Sequence, residues 1–244
     1  MAGPLAQFKI HVISGTAEAA LADLPFYAFT NAALWMTISA LAVMAFVLGG
    51  ARQGRLVPGP WQSTVEASYE FVGSMIRQNV GEEGRRFFPV IFALFMFILF
   101  GNLLGLLPYS FTFTSQIIVT AALALLVFVG VTVVGIVKHG LGFFGFFAPS
   151  GVPALMIPVM VPIEVISYLS RPVSLSIRLF ANMMAGHTMM KVFAGLVFSL
   201  GLFGVAPLAM TVVLTGFEVL VSFLQAYVFA VLACLYLNDA LHLH

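Results

Sequence analysis

The chain is short of charge. Of its 244 residues only 8% are Asp, Glu, Lys or Arg, against about a quarter in a soluble domain, and 10 basic residues nearly cancel 9 acidic ones. That balance excludes an ordinary soluble enzyme, a disordered chain and a basic nucleic-acid binder. Cysteine is almost missing: Cys234 stands alone in an apolar run, so no internal disulfide forms and the redox compartment is not legible. No glycine-rich phosphate cradle occurs. No metal-ligand spacing is found either, since His187 is followed by TMMK with no second ligand three or four residues on. The first 25 residues lack the basic start and apolar core of a cleavable signal. What is abundant is apolar surface, 61% of residues with 25 Phe, and the expected fold class is an all-α polytopic membrane protein.

A helix rising about 1.5 Å per residue needs about 20 apolar residues to cross a hydrocarbon core of about 30 Å. Residues 26–49, 87–107 and 117–137 meet that requirement without an ionisable side chain. Residues 58–81 differ: Trp61, Val65, Tyr69, Val72 and Ile76 recur at spacings of three and four, with Glu66, Glu70, Arg77 and Gln78 mostly off that stripe. The pattern predicts an amphipathic helix at the membrane surface, begun by a Ser63–Glu66 capping box; a solvated loop helix is the other reading. Segments 152–195 and 205–240 are apolar but interrupted by Glu164, Arg171, Arg178, His187, Lys191 and Glu218, with a Gly- and Pro-marked turn between them. The count is about five membrane helices and one surface helix within a single membrane domain, residues 1–25 forming an outer segment. Arg52, Arg55, Arg77, Arg85, Arg86 and Lys138 all fall in loops on one side, which the positive-inside rule makes cytoplasmic. The N-terminus is then outside and the C-terminus cytoplasmic.

Each charge at mid-membrane costs about 2.5–3.5 kcal/mol on insertion scales, so the interruptions need a reason. At about 100° per residue, seven positions fall about 20° short of two turns. Glu164, Arg171 and Arg178 are spaced by sevens, and Ser174 and Asn182 lie four before and four after Arg178. Glu218, Ser222, Gln225 and Tyr236 form a second stripe on the last segment. In an antiparallel hairpin, facing residues have a nearly constant sum of numbers. His187 with Glu218 gives 405, while Arg178 with Gln225 and Glu164 with Asp239 each give 403. All three imply a turn centred near residue 202, between Gly201 and Gly204. The nine residues from Arg178 to His187 place these two on opposite faces of an ideal helix, which requires local unwinding near Gly186 or a wide contact surface. A single helix over 152–191 would be about 60 Å long. Crossing once, it must slant by about 60°, beyond the usual tilt of about 0–40°. The expectation is a long, steeply tilted antiparallel hairpin.

Staggered ionisable groups in a membrane helix can form a proton path. His187 and Glu218 suit it because each can take up and release a proton. A guanidinium keeps its proton, so Arg178 acts as a fixed positive barrier or a counter-ion to a mobile carboxylate. Two half-paths meeting at such a barrier work only if a partner carries protons around it.

The run from Ser170 to His187 (SRPVSLSIRLFANMMAGH) resembles the signature of subunit a of F-type ATP synthases, the membrane stator beside a rotating c-ring. So do Asn102 to Pro108 (NLLGLLP), Pro162 to Pro172 (PIEVISYLSRP) and Glu218 to Phe229 (EVLVSFLQAYVF), in order along nearly the whole chain. The resemblance implies that Arg178 faces the c-ring carboxylate and blocks short-circuiting between two aqueous half-channels. It implies that Asn182, His187, Glu218 and Gln225 line the outer half-channel and Glu164 and Ser174 the cytoplasmic one. Arg171, Ser222 and Tyr236 are supporting candidates, and Glu164 is a candidate structural partner for Arg171. Some family members carry an acid at the position of His187 and a histidine at that of Glu218; the exchanged arrangement here is similar to alphaproteobacterial and mitochondrial subunits. The resemblance further implies a non-catalytic subunit without cofactor or metal. Its partners would be the c-ring, the b stalk, the rest of the complex and the bilayer, with no nucleic acid. A bacterial inner membrane is favoured over the mitochondrial one by the basic loop and long N-terminal tail. Two other classes compete. A secondary transporter predicts an internal inverted repeat, and no second copy of the Arg178 motif occurs; an intramembrane protease needs a positioned nucleophile and base, for which Ser174 and Ser222 lack the context.

Overall fold

The computed structural model describes residue 10 and residues 29–52, 57–107, 110–147 and 156–242. The 1–25 segment apart from Ile10, the start of the 26–49 span, Arg55 and residues 152–155 lie outside the described residues. Among the described residues six α-helices carry the fold: α1 (Asn31–Ala51), α2 (Pro60–Asn79), α3 (Phe88–Gly105), α4 (Ile117–His139), α5 (Ile157–Ser199) and α6 (Val205–Leu241). Four of them, α1, α3, α4 and α6, are long and apolar enough to cross a membrane, and this is an all-helical polytopic membrane protein.

Local chemistry explains where the helices begin. Thr30 caps α1 by accepting from the Ala33 N–H at 3.3 Å, so the helix starts past residue 26. Helix α2 begins at Pro60 behind Gly59, not at the expected Ser63–Glu66 box; a proline at the first helical position gives up no needed N–H. Glu66 instead accepts from the Gln62 side chain at 2.8 Å. The stripe on α2 divides: Val72 and Ile76 are buried against the bundle, whereas Trp61 and Tyr69 are half exposed. Trp61 nevertheless ties α2 to α1 by donating its Nε1–H to the Phe46 carbonyl at 3.2 Å.

The last two helices are unusually long, 43 and 37 residues, or about 64 and 55 Å. Each is roughly twice the thickness of a hydrocarbon core. Helix α5 is continuous through Pro162 and Pro172; it begins five residues after the expected start at 152 and ends four residues past the expected end at 195. The turn between α5 and α6 passes through Gly201 at φ 52°, a left-handed conformation that glycine adopts without strain. Helix α6 is the centre of the bundle. It packs on α3, α4 and α5, and its buried face runs from Glu218 through Ala226, Phe229, Ala230 and Ala233 to Leu241. At one end of the bundle, Lys138 at the end of α4 pairs with Glu83 in the α2–α3 connection. Lys138 holds the Glu83 carboxyl below its ordinary range, by hydrogen bond first and charge second. That end also carries Arg77, Arg85 and Arg86.

Candidate functional site

The α5–α6 hairpin brings the polar stripes together, with its register drifting along its length. His187 Nδ1 lies 3.5 Å from Glu218 Oε1, the pairing whose sum is 405. Further along, Asn182 Nδ2 donates to Gln225 Oε1 at 2.9 Å. This replaces the expected Arg178–Gln225 pairing. Further still, Arg171 Nη1 donates to Asp239 Oδ2 at 2.8 Å, with its guanidinium 5.0 Å from the Tyr236 ring centre and 5.3 Å from that of Tyr168. Asp239 is thus the partner of Arg171 and not of Glu164. Glu164 is half-buried and makes no hydrogen bond or ion pair with a described residue.

The two key residues of α5 face opposite ways. His187 is buried, while Arg178 and Ser174 are exposed. The helix stays regular between them, so neither unwinding nor a wide contact surface is needed. Arg178 makes no hydrogen bond or ion pair with any described residue. The exposed residues within one turn on its face are small or short, Ser174, Ala181 and Asn182, followed by Ala185 a turn later.

The inward face is crowded and polar. Both carboxylate oxygens of Glu218, the Ser222 hydroxyl, Gln225 Nε2, Asn102 Oδ1 and the Thr114 hydroxyl are buried without a hydrogen-bond partner among the described residues. Buried polar groups normally have such partners, so this concentration marks the region. Asn102 of α3 borders it by donating to the Ser222 carbonyl at 3.3 Å. Glu218 reaches α5 because residue 186 is glycine: a Cβ there would lie 2.7 Å from Glu218 Oε1. On its other side His187 Nε2 meets the Thr112 hydroxyl at 2.8 Å. Thr112 and Thr114 come from the short loop before α4. The sequence reading did not single them out, although their polarity beside the α3 motif was the available signal. No group of three or more metal-ligating side chains occurs among the described residues.

A family model described as ATP synthase A chain matches residues 33–238. The chain is similar to ATP synthase subunit a of Pelagibacter ubique, 54% identical over 242 residues covering 99% of this chain and 98% of the relative. It is also similar to the subunit a of Allorhizobium ampelinum, 55% identical over 246 residues (98% and 97% covered). That of Chelativorans is 59% identical over 223 residues (88% and 90% covered).

Proposed function

This chain belongs to the ATP synthase A chain family, and we propose that it is the proton-translocating stator subunit, in which Arg178 separates two offset aqueous half-channels opening on a ring of c subunits. The observation that carries the reading is that Arg178 is exposed and has no hydrogen bond or ion pair among the described residues. Facing lipid at mid-membrane it would cost about 2.5–3.5 kcal/mol. Facing a carboxylate on a partner helix, that cost is offset by a charge-assisted contact. The small side chains around it let such a helix approach closely.

The rest of the mechanism follows from the two faces of α5. Protons enter from the outer side through the buried polar region at Glu218 and His187. They pass Ser222 to Asn182 and Gln225, whose hydrogen bond bridges α5 and α6 near the rim of the Arg178 face. There a ring carboxylate takes up the proton and becomes neutral, free to rotate into lipid. The ring carries it round to the cytoplasmic path by Ser174 and Glu164, where it is released. Arg178 repels a hydrated proton and attracts the emptied carboxylate, so the direct route stays closed. A proton crossing 100 mV is worth about 2.3 kcal/mol; several therefore act together for each ATP made on other subunits, and this subunit does no ATP chemistry itself. The Arg171–Asp239 pair, clasped by Tyr168 and Tyr236, holds the hairpin together at the basic end. That end is cytoplasmic by the positive-inside rule, in a bacterial inner membrane.

The ring-facing surface is tested by cross-linking. A cysteine at Asn182 or Ser174 is expected to form a disulfide with a cysteine near the ring carboxylate, while one at buried Leu179 is not. Cross-linking from Leu179 but from neither of the others would overturn the assignment of that face.

A further inference from the structure

We infer that the cleft between α1, α3 and α4 is a binding site for an anionic phospholipid, with an acyl chain in the cleft and the phosphate beside Arg86. The inference stands apart from Arg178 and the translocation path.

The cleft holds about 790 Å³. Leu94 of α3 and Ala233 and Leu237 of α6 form its buried floor, while Ala40, Val90 and Gly130 lie on its exposed rim. Every lining side chain is apolar, so water finds no hydrogen-bond partner among them. Small residues make the room: a Cβ built on Gly130 would meet no described atom within 4 Å. In a bilayer such a cleft takes hydrocarbon, from a lipid chain or from a neighbouring helix.

Its length points to lipid. The lining runs from Phe87 to Phe97 along α3 and from Leu123 to Val134 along α4, about 15 Å in each case. That is half of a hydrocarbon core of about 30 Å, the depth of one leaflet. A partner helix crossing the membrane would need about 20 residues, twice what the cleft covers.

Charge marks the end at which the headgroup sits. The cleft stops at Phe87, directly after Arg85 and Arg86, and at Val134, one turn before Lys138. Glu82 pairs with Arg77 and Arg85, and Glu83 with Lys138. These four cations and two carboxylates leave two positive charges uncompensated. Arg86 is exposed and makes no hydrogen bond or ion pair with a described residue. Its charge is felt at Glu83, but Lys138 already holds that carboxyl. A guanidinium presents paired donors that match a phosphate, and basic pockets between membrane helices hold anionic headgroups in this way.

The test uses the assembled synthase in phosphatidylcholine vesicles containing a trace of lipid with a photoactivatable diazirine midway along one acyl chain. The probe is phosphatidylglycerol in one arm and phosphatidylcholine in the other, and labelled peptides are read by mass spectrometry. The phosphatidylglycerol probe is expected to label residues 90–97 and 123–134 about fivefold more than the other, the preference that one uncompensated cation confers. Gly130→Leu, whose side chain enters open space, should clear the label from both segments in a complex that assembles and pumps protons normally. Arg86→Gln should bring the two probes within about twofold while the cleft still labels. Equal labelling by both probes in the unsubstituted complex would overturn the inference. So would a cleft that neither probe reaches, the result expected of a partner helix seated there, or labelling undiminished by Gly130→Leu. Should Gly130→Leu fail to assemble, the two probes on the unsubstituted complex and on Arg86→Gln decide the matter.

Discussion

Arg178 and His187 lie nine residues apart on one unbroken helix and point to opposite sides of it, the arginine exposed and the histidine buried beside Glu218. Half a turn of rotation therefore divides the helix into a face that meets a partner and a face that meets α6. A proton handled on the inner face must cross to the outer one, and Asn182 with Gln225 is the polar contact nearest that crossing.

The His187–Glu218 pair is expected to tolerate exchange better than single replacement. Each single change, His187→Glu or Glu218→His, leaves two like groups facing each other in a buried site, whereas the double change restores the pair. Proton pumping in the double variant should exceed that of both singles. A double variant no better than the worse single would show that the contact is not a functional pair.

Gly186 should be intolerant of any side chain. A methyl group there would intrude on Glu218 Oε1, and moving the carboxylate by about 1 Å from its partners costs about tenfold or more in rate. Gly186→Ala is expected to assemble and to pump poorly. Gly216→Ala, on a site with open space around it, should pump normally. Equal activity in the two would remove the steric argument.

The Arg171–Asp239 pair is expected to contribute stability and not proton transfer. It is partly exposed, 20% and 39% for the two side chains. A double-mutant cycle with Arg171→Ala and Asp239→Ala should then give a coupling of about 1–2 kcal/mol in the unfolding of the solubilised complex. Residual pumping per assembled complex should change little. Near-zero coupling would contradict the pairing.

Much of this was legible in the residues. Apolar runs located α1, α3, α4 and α6 because a bilayer leaves a helix little other composition. The four-residue spacing placed Arg178 with Ser174, and the His187–Glu218 sum found the hairpin register there, because helix geometry alone sets both; the spacing by sevens did not hold, since Arg171 turns to Asp239 on α6 while Arg178 is exposed. The register failed toward the basic end. A constant sum assumes two straight, parallel helices, and it drifts from 405 at His187–Glu218 to 410 at Arg171–Asp239 as long helices containing prolines cross. Thr112 was hidden for a different reason. It meets His187 across 75 residues of chain from a loop without periodicity, and no local pattern encodes such a contact. The ends of α1 and α2 shifted because Thr30 and Pro60 supply stronger starts than hydropathy records.

The central claim is that Arg178 forces protons to travel by way of the ring, and replacing it is the most direct measurement. In membranes where Arg178→Ala is verified to be assembled with the complete synthase, ATP-driven proton pumping should be abolished while ATP hydrolysis by the detached soluble sector persists. Coupled pumping at the unsubstituted rate in that variant would contradict the account.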